Sequence, residues 1–197
     1  MAKKQKKQKP QKVMKQKVKN KRKTGKKRFF EVSAPLTSTK IQLYSTNEEE
    51  LEGKTIKLDL TKILRGKSLE IKFRIKNDKG ELTGVPESAE LANSYIRRVM
   101  RKGTDYAEDS FEAECHDHTT IIKTLLITRR RVSRSVLKAL REEARKFILS
   151  YVKTRKAEEL FSEIMTNKLQ KQLSLKLKKI YPLALCEIRV FKIVKKK

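Results

Sequence analysis

Arg129, Arg130, Arg131 and Arg134 place four guanidinium groups within six residues. Arginine is planar, permanently charged, and forks onto two oxygens of one phosphate. The run lies between an apolar stretch, Thr119 to Thr128, and an amphipathic one that Ser133 can cap. It therefore reads as a fixed cationic corner between a strand and a helix. Glu142 or Glu143 could take one arginine into a core ion pair, but the local acids are too few for all four. Phosphate binding is the expected chemistry. A second set, Arg97, Arg98, Arg101 and Lys102, crowds the end of another amphipathic segment. A third fills the N-terminus: Lys3, Lys4, Lys6, Lys7, Lys21, Arg22, Lys23, Lys26, Lys27 and Arg28 belong to a segment, residues 1–28, with 15 Lys+Arg and no acid.

Other reactive residues point elsewhere. Cys115, His116, Asp117 and His118 are metal-ligand types, but four neighbours on a turn point apart, and only Cys186 stands elsewhere. A zinc site needs ligands that converge from separated pairs, so a plain turn is expected and no metal. A Cys/His nucleophile pair has the same weakness, and no orienting acid is implied. Asp105, Glu108, Asp109, Glu112 and Glu114 are the acidic concentration of the body. They read either as a metal or general-acid cluster of a nucleic-acid-cleaving enzyme, or as a wet strand face paired with Lys and Arg. The second reading is preferred. Phe29, Phe30, Tyr44, Tyr95, Phe147 and Phe161 are expected mostly on core-facing stripes. That leaves Tyr106 and Tyr181 as candidates for stacking on bases, and favours binding by shape and phosphate contacts.

The elements that must position these groups follow from periodicity. Phe29 to Pro35, Ile41 to Tyr44, Lys54 to Leu60 and Ser68 to Lys76 alternate or end as strands do. In the last of these, Leu69, Ile71, Phe73 and Ile75 share one face and Glu70, Lys72, Arg74 and Lys76 the other, the mark of an antiparallel sheet with one wet side. Asn77 to Gly80 is turn chemistry, with Leu82 to Val85 as the return strand. Pro86-Glu87-Ser88 is expected to open a helix carrying Leu91, Tyr95, Ile96, Val99 and Met100, stopped by Gly103. Asp105 to Cys115 and Thr119 to Thr128 form a hairpin. One long helix spans Val136 to Val152, a second Leu160 to Ile180, and Pro182 precedes a final strand, Leu185 to Val194. The order predicts an α+β fold with a mostly antiparallel sheet: a basic arm at 1–28, disordered when free, and a single RNA-binding domain at 29–197.

Composition narrows the function classes. The 197 residues hold 51 Lys+Arg against 23 Asp+Glu, a net charge of +28, and the body beyond residue 28 is still +13. Such a chain suits a polyanionic partner held by body and arm together. No run of about 18 apolar residues exists, so no membrane span is expected. The arm has no aromatic or leucine face to insert into a membrane surface. Six scattered glycines offer no phosphate loop, and no cofactor or small-molecule substrate is expected.

Ile127-Thr128-Arg129-Arg130-Arg131-Val132, the long basic helix after it, Lys178-Lys179-Ile180-Tyr181-Pro182-Leu183 and Glu187-Ile188-Arg189 together resemble one family. It is the small-subunit ribosomal protein family shared by archaea and eukaryotes and absent from bacteria, S-three-Ae or eS-one. The resemblance covers residues ~86–193 by element order; the basic arm, Ala34-Pro35, Gly53 and Asp59-Leu60 match more loosely, and the length is that of the compact archaeal form. Asp117-His118 stands where the family carries an Asp-Gly turn, and no role transfers to residues 37–52. The resemblance implies a β-barrel-like core flanked by helices and a non-enzymatic structural protein of the cytoplasmic ribosome. It also implies a place on the platform near the messenger exit, touching small-subunit ribosomal RNA and neighbouring small-subunit proteins. The reading set against it from the residues alone is a free-standing RNA- or DNA-binding assembly or packaging factor.

Overall fold

The structure is a computed structural model and describes residues 26–37, 39–64, 66–78 and 81–196. The expected disordered arm therefore lies outside the described residues up to position 25, and Arg28 already opens the first strand. Strand β4 (Leu69–Asp78) shows the alternation at its clearest, with Leu69, Ile71, Phe73 and Ile75 fully buried. It pairs antiparallel with β5 (Glu81–Leu91) along its whole length and, on its other edge, with β3 (Thr55–Asp59). The expected helix start at Pro86 is corrected here: residues 86–91 remain strand, and Pro86 faces Phe73. The register shifts between Lys72 and Phe73, and such a bulge accommodates a residue with no N–H to give the ladder. The helix is short, α1 (Asn93–Val99), and only its Ile96 is buried.

Strand β5 organises the sheet. Its edge away from β4 is shared by two partners. Near its start it meets β1 (Arg28–Ala34) in a parallel bridge, Ser33 to Thr83, and β1 carries β2 (Thr39–Ser45) antiparallel. Near its end, residues Ser88–Glu90 pair with β8 (Leu183–Lys196). β8 then pairs along its length with β7 (His118–Thr128), and β7 with β6 (Tyr106–Glu114). The order is β2-β1-β5-β8-β7-β6, with β4 and β3 branching from β5. The fold is α+β with a mostly antiparallel sheet, as expected, and the sheet is open rather than closed into a barrel.

Three helices cover one side. Helix α2 (Arg134–Val152) buries Leu140, Ala144, Ile148 and Val152, four residues apart, beside β6. The helix expected over 160–180 is two: α3 (Ala157–Thr166) and α4 (Lys168–Leu177), separated by Asn167 at φ 59°. Asparagine tolerates this left-handed conformation better than most residues, so it ends one helix and starts the next. The main core joins α2–α4 to the sheet, with Phe161 edge-on to Phe191 at 4.8 Å. A small second cluster, Val32, Leu51, Ile75 and Leu82, underlies β1 and β2. Near main-core residues Leu69 and Ile188 in the chain, Lys67 and Glu187 form a buried ion pair at 2.6 Å, and the Lys67 ammonium also donates to Asn167 Oδ1 at 2.6 Å.

Candidate nucleic-acid interface

The arginine run sits on a pinned loop. β7 ends at Thr128, whose side chain is fully buried. Its hydroxyl accepts from the Asp105 N–H at 3.1 Å, and its proton is shared between the carbonyls of Asp105 (2.9 Å) and Arg130 (2.7 Å). The Asp105 carboxylate accepts the Val132 N–H at 2.9 Å. Backbone atoms on either side of Arg131 are thus tied down, the Arg130 carbonyl to Thr128 at the end of β7 and the Val132 N–H to Asp105 in the segment that enters β6. Arg129, Arg130, Arg131 and Arg134 are all exposed, and among the described residues none of them forms an ion pair with Glu142, Glu143 or any other acid. Instead Glu143 binds Lys176 at 3.0 Å, and that lysine holds its carboxyl below the ordinary range. The start of α2 has no acid in its first turn. Ser133 stands at its N-cap without a capping hydrogen bond, its Oγ 2.9 Å from Ser135 Oγ instead, so that expectation is corrected.

Two cations of the second set, Arg98 on α1 and Arg101 just beyond it, reach this loop. Arg98, Arg101 and Arg129 line one open cleft of about 420 Å³ with Val99, Thr104, Ile127, Ala184 and Leu185. Arg98 is steadied by the Tyr95 ring, 5.8 Å from its centroid, and by Ser68 Oγ at 3.3 Å. Burial, then the charge of Glu187, pushes the Tyr95 phenol up, so it stays neutral beneath the guanidinium. Arg97 and Lys102 are exposed alongside, Arg97 in a neighbouring hollow with Met100 and Tyr106. Lys26 and Arg28 line a different hollow that also holds Glu48 and Glu49, so the structure does not bring them to the arginine cleft. Lys3, Lys4, Lys6, Lys7, Lys21, Arg22 and Lys23 lie outside the described residues.

The acidic stretch is spoken for. Asp109 accepts from Arg145 through two nitrogens at 2.9 and 3.0 Å, and Glu108 holds Arg189 through both oxygens. Asp105 serves the loop, and Glu112 and Glu114 are exposed. Arg145 and Arg189 are partners that sequence reasoning did not name. Among the described residues no three His, Cys, Asp or Glu side chains converge as metal ligands. Near the turn, His116 Nδ1 lies 2.7 Å from Asp117 Oδ1, while Cys115 is buried with its sulfur 3.6 Å from Thr120 Oγ1. Burial pushes the Cys186 thiol up to about 12 and raises Cys115 as well, which removes both as ready nucleophiles.

One aromatic expectation is corrected. Phe29 and Tyr44 are 70% and 59% exposed rather than core-facing. They face each other across β1 and β2 on the face shared with Glu31, Gln42 and Lys40, while Phe30, Val32, Ala34, Ile41 and Leu43 make the inner face, so the alternation itself marked the wet side.

Comparison with known proteins follows the same lines. The model of the Ribosomal S3Ae family matches residues 14–197. A small ribosomal subunit protein eS1 from Nanoarchaeum equitans is 26% identical over 177 residues, covering 83% of this chain and 86% of its own length. A protein of the same name from Desulfurococcus amylolyticus is 28% identical over 171 residues, covering 82% and 80%. With residues 14–197 matched by the family model, the chain belongs to the Ribosomal S3Ae family, structural and non-enzymatic proteins of the small ribosomal subunit.

Proposed function

We propose that this chain is a structural constituent of the small subunit that holds ribosomal RNA by its phosphates, on the platform near the messenger exit in the cytoplasmic ribosome. The observation that carries the reading is the cleft where Arg98 and Arg101 meet Arg129, next to a pinned loop of arginines free of ion pairs. Cations fixed on a rigid corner replace counterions on RNA without being ordered first. The uncapped start of α2, rich in N–H donors, adds to the same field. The arm at 1–28 supplies a further set of Lys and Arg, and the domain at 29–197 supplies the fixed ones. Neighbouring small-subunit proteins are its other partners, and both relatives carry that subunit in their names.

The test is a salt titration on a small-subunit RNA fragment. Replacing Arg129, Arg130, Arg131 and Arg134 with Gln should flatten the slope of log affinity against log salt. Each lost phosphate contact is worth about 0.9 on a duplex and about 0.7 on a single strand. The loss should be similar for unrelated RNA sequences, since phosphates carry no base information. An unchanged slope with intact circular dichroism assigns the arginines to protein neighbours instead. Cosedimentation with the subunit in high salt separates this reading from that of a free-standing factor.

A further inference from the structure

Phe29 and Tyr44 occupy paired positions on β1 and β2, with ring centroids 5.0 Å apart and planes tilted by 45°. Both rings face solvent on the outer side of an edge hairpin. By contrast Phe73, Phe161 and Phe191 are fully buried, and Tyr106, also exposed, is in no ring pair among the described residues. The Lys27 ammonium lies 5.5 Å from the Tyr44 ring centroid, and Lys26 and Arg28 are its chain neighbours. The acid on the same face, Glu31, is paired with Lys40 at 3.3 Å. Immediately upstream, residues 1–25 add 12 Lys+Arg and no acid.

We propose that the Phe29–Tyr44 pair is a stacking platform for an unpaired base of an RNA strand, with Lys27 holding a flanking phosphate. The proposal rests on the RNA-binding reading above and adds to it a contact with a base rather than with a phosphate. Two exposed rings on adjacent strands of a sheet present π-faces to a splayed base, and stacking of this kind tolerates any base. The surrounding charge selects the occupant. Lysine is depleted at the centre of protein–protein contacts, whereas a ring flanked by cations matches a nucleotide in both of its parts.

The experiment compares wild type, Phe29→Leu/Tyr44→Leu and Phe29→Tyr on two probes: a single-stranded RNA of about 12 nucleotides and a matched duplex. Removing the rings should weaken single-strand binding roughly 5- to 100-fold, leave the salt slope unchanged and spare the duplex. Phe29→Tyr, which keeps a ring, should bind as wild type. In the unmodified chain, single-stranded RNA should quench tyrosine fluorescence, and Tyr44→Phe should abolish most of that quenching. This second measurement decides the matter if the leucine variant does not fold. Unchanged single-strand affinity in the leucine variant overturns the proposal. So does unchanged affinity with lost incorporation into the subunit, which assigns the rings to a protein. A loss carried wholly by the salt slope also overturns it, because the rings then only position cations. The broader RNA reading fails separately: wild type would bind neither probe.

Discussion

The buried Lys67–Glu187 pair permits a quantitative test of how the two halves of the sheet are joined. Lys67 precedes β4, Glu187 lies on β8, and Asn167 sits between α3 and α4, so one ammonium ties three separate stretches of chain. The charged side chains are only 8% and 9% exposed. Removing one partner of such a pair strands a charge and costs about 3–5 kcal/mol. Glu187→Gln leaves Lys67 with Asn167 Oδ1 and a neutral amide, so about 3 kcal/mol is expected. Lys67→Met leaves the carboxylate with no donor among its present contacts and belongs at the upper end of that range. In a chain of this size each kcal/mol moves the melting temperature by about 2–4 °C, so Glu187→Gln should lower it by roughly 6–12 °C. The double variant Lys67→Met/Glu187→Leu removes both charges and should recover most of the loss, since apolar replacement of a buried pair is often neutral. Urea and thermal melts followed by circular dichroism supply the four corners of the cycle. Single variants within about 0.5 kcal/mol of wild type, or a double variant as unstable as the sum of the singles, would refute the reasoning.

Two further outcomes follow from the geometry. Thr128→Val keeps the shape but leaves the Asp105 N–H and the Arg130 carbonyl without a partner. It should cost about 1–3 kcal/mol and weaken RNA binding although no cation is removed; unchanged stability and binding would show that the loop needs no pin. Cys186 keeps its proton in the folded chain up to about 12, while the unfolded thiol ionises from an ordinary value near 9.0, so the thiol opposes folding as pH rises between those values. The stability of wild type relative to Cys186→Ala should therefore fall by up to about 1.4 kcal/mol per pH unit above 9, and parallel curves in urea melts would contradict this.

Much of the sheet was legible in the sequence because alternation reports a face directly. Leu69 to Ile75 reads as a strand with one wet side, and it is one. The second half of β5 was not legible: Pro86 is a common first residue of helices, and only the bulge opposite it, a property of β4, lets the strand continue. The break at Asn167 is likewise tertiary, since apolar spacing continues across it and the partner that engages its side chain, Lys67, lies 100 residues away. At the interface the charges were legible and their arrangement was not. Nothing in the spacing says that Asp105 and Thr128 pin the loop, or that Arg101 and Arg129 share a cleft. The exposure of Phe29 and Tyr44 was legible in the alternation, since each shares its face with polar residues, Glu31 and Ser33 for the first and Gln42 and Lys40 for the second; aromatic type alone suggests the core and points the wrong way.

The place of β8 has a consequence in time. Residues 183–196 are the last of the described elements to be synthesised, yet they lie in the middle of the sheet, paired to β5 on one edge and β7 on the other. A growing chain can form the β3–β4–β5 and β6–β7 hairpins early, because those pairings are local. It cannot join them before residue 183 emerges, and until then the long edge of β7 and the stretch Ser88–Glu90 of β5 stand open. Folding of the body is therefore gated by completion, and a product halted before β8 exposes Phe161 where Phe191 would have covered it. Such a fragment should aggregate or be degraded rather than compete for RNA, and a soluble, RNA-binding 1–182 fragment would contradict that order of events.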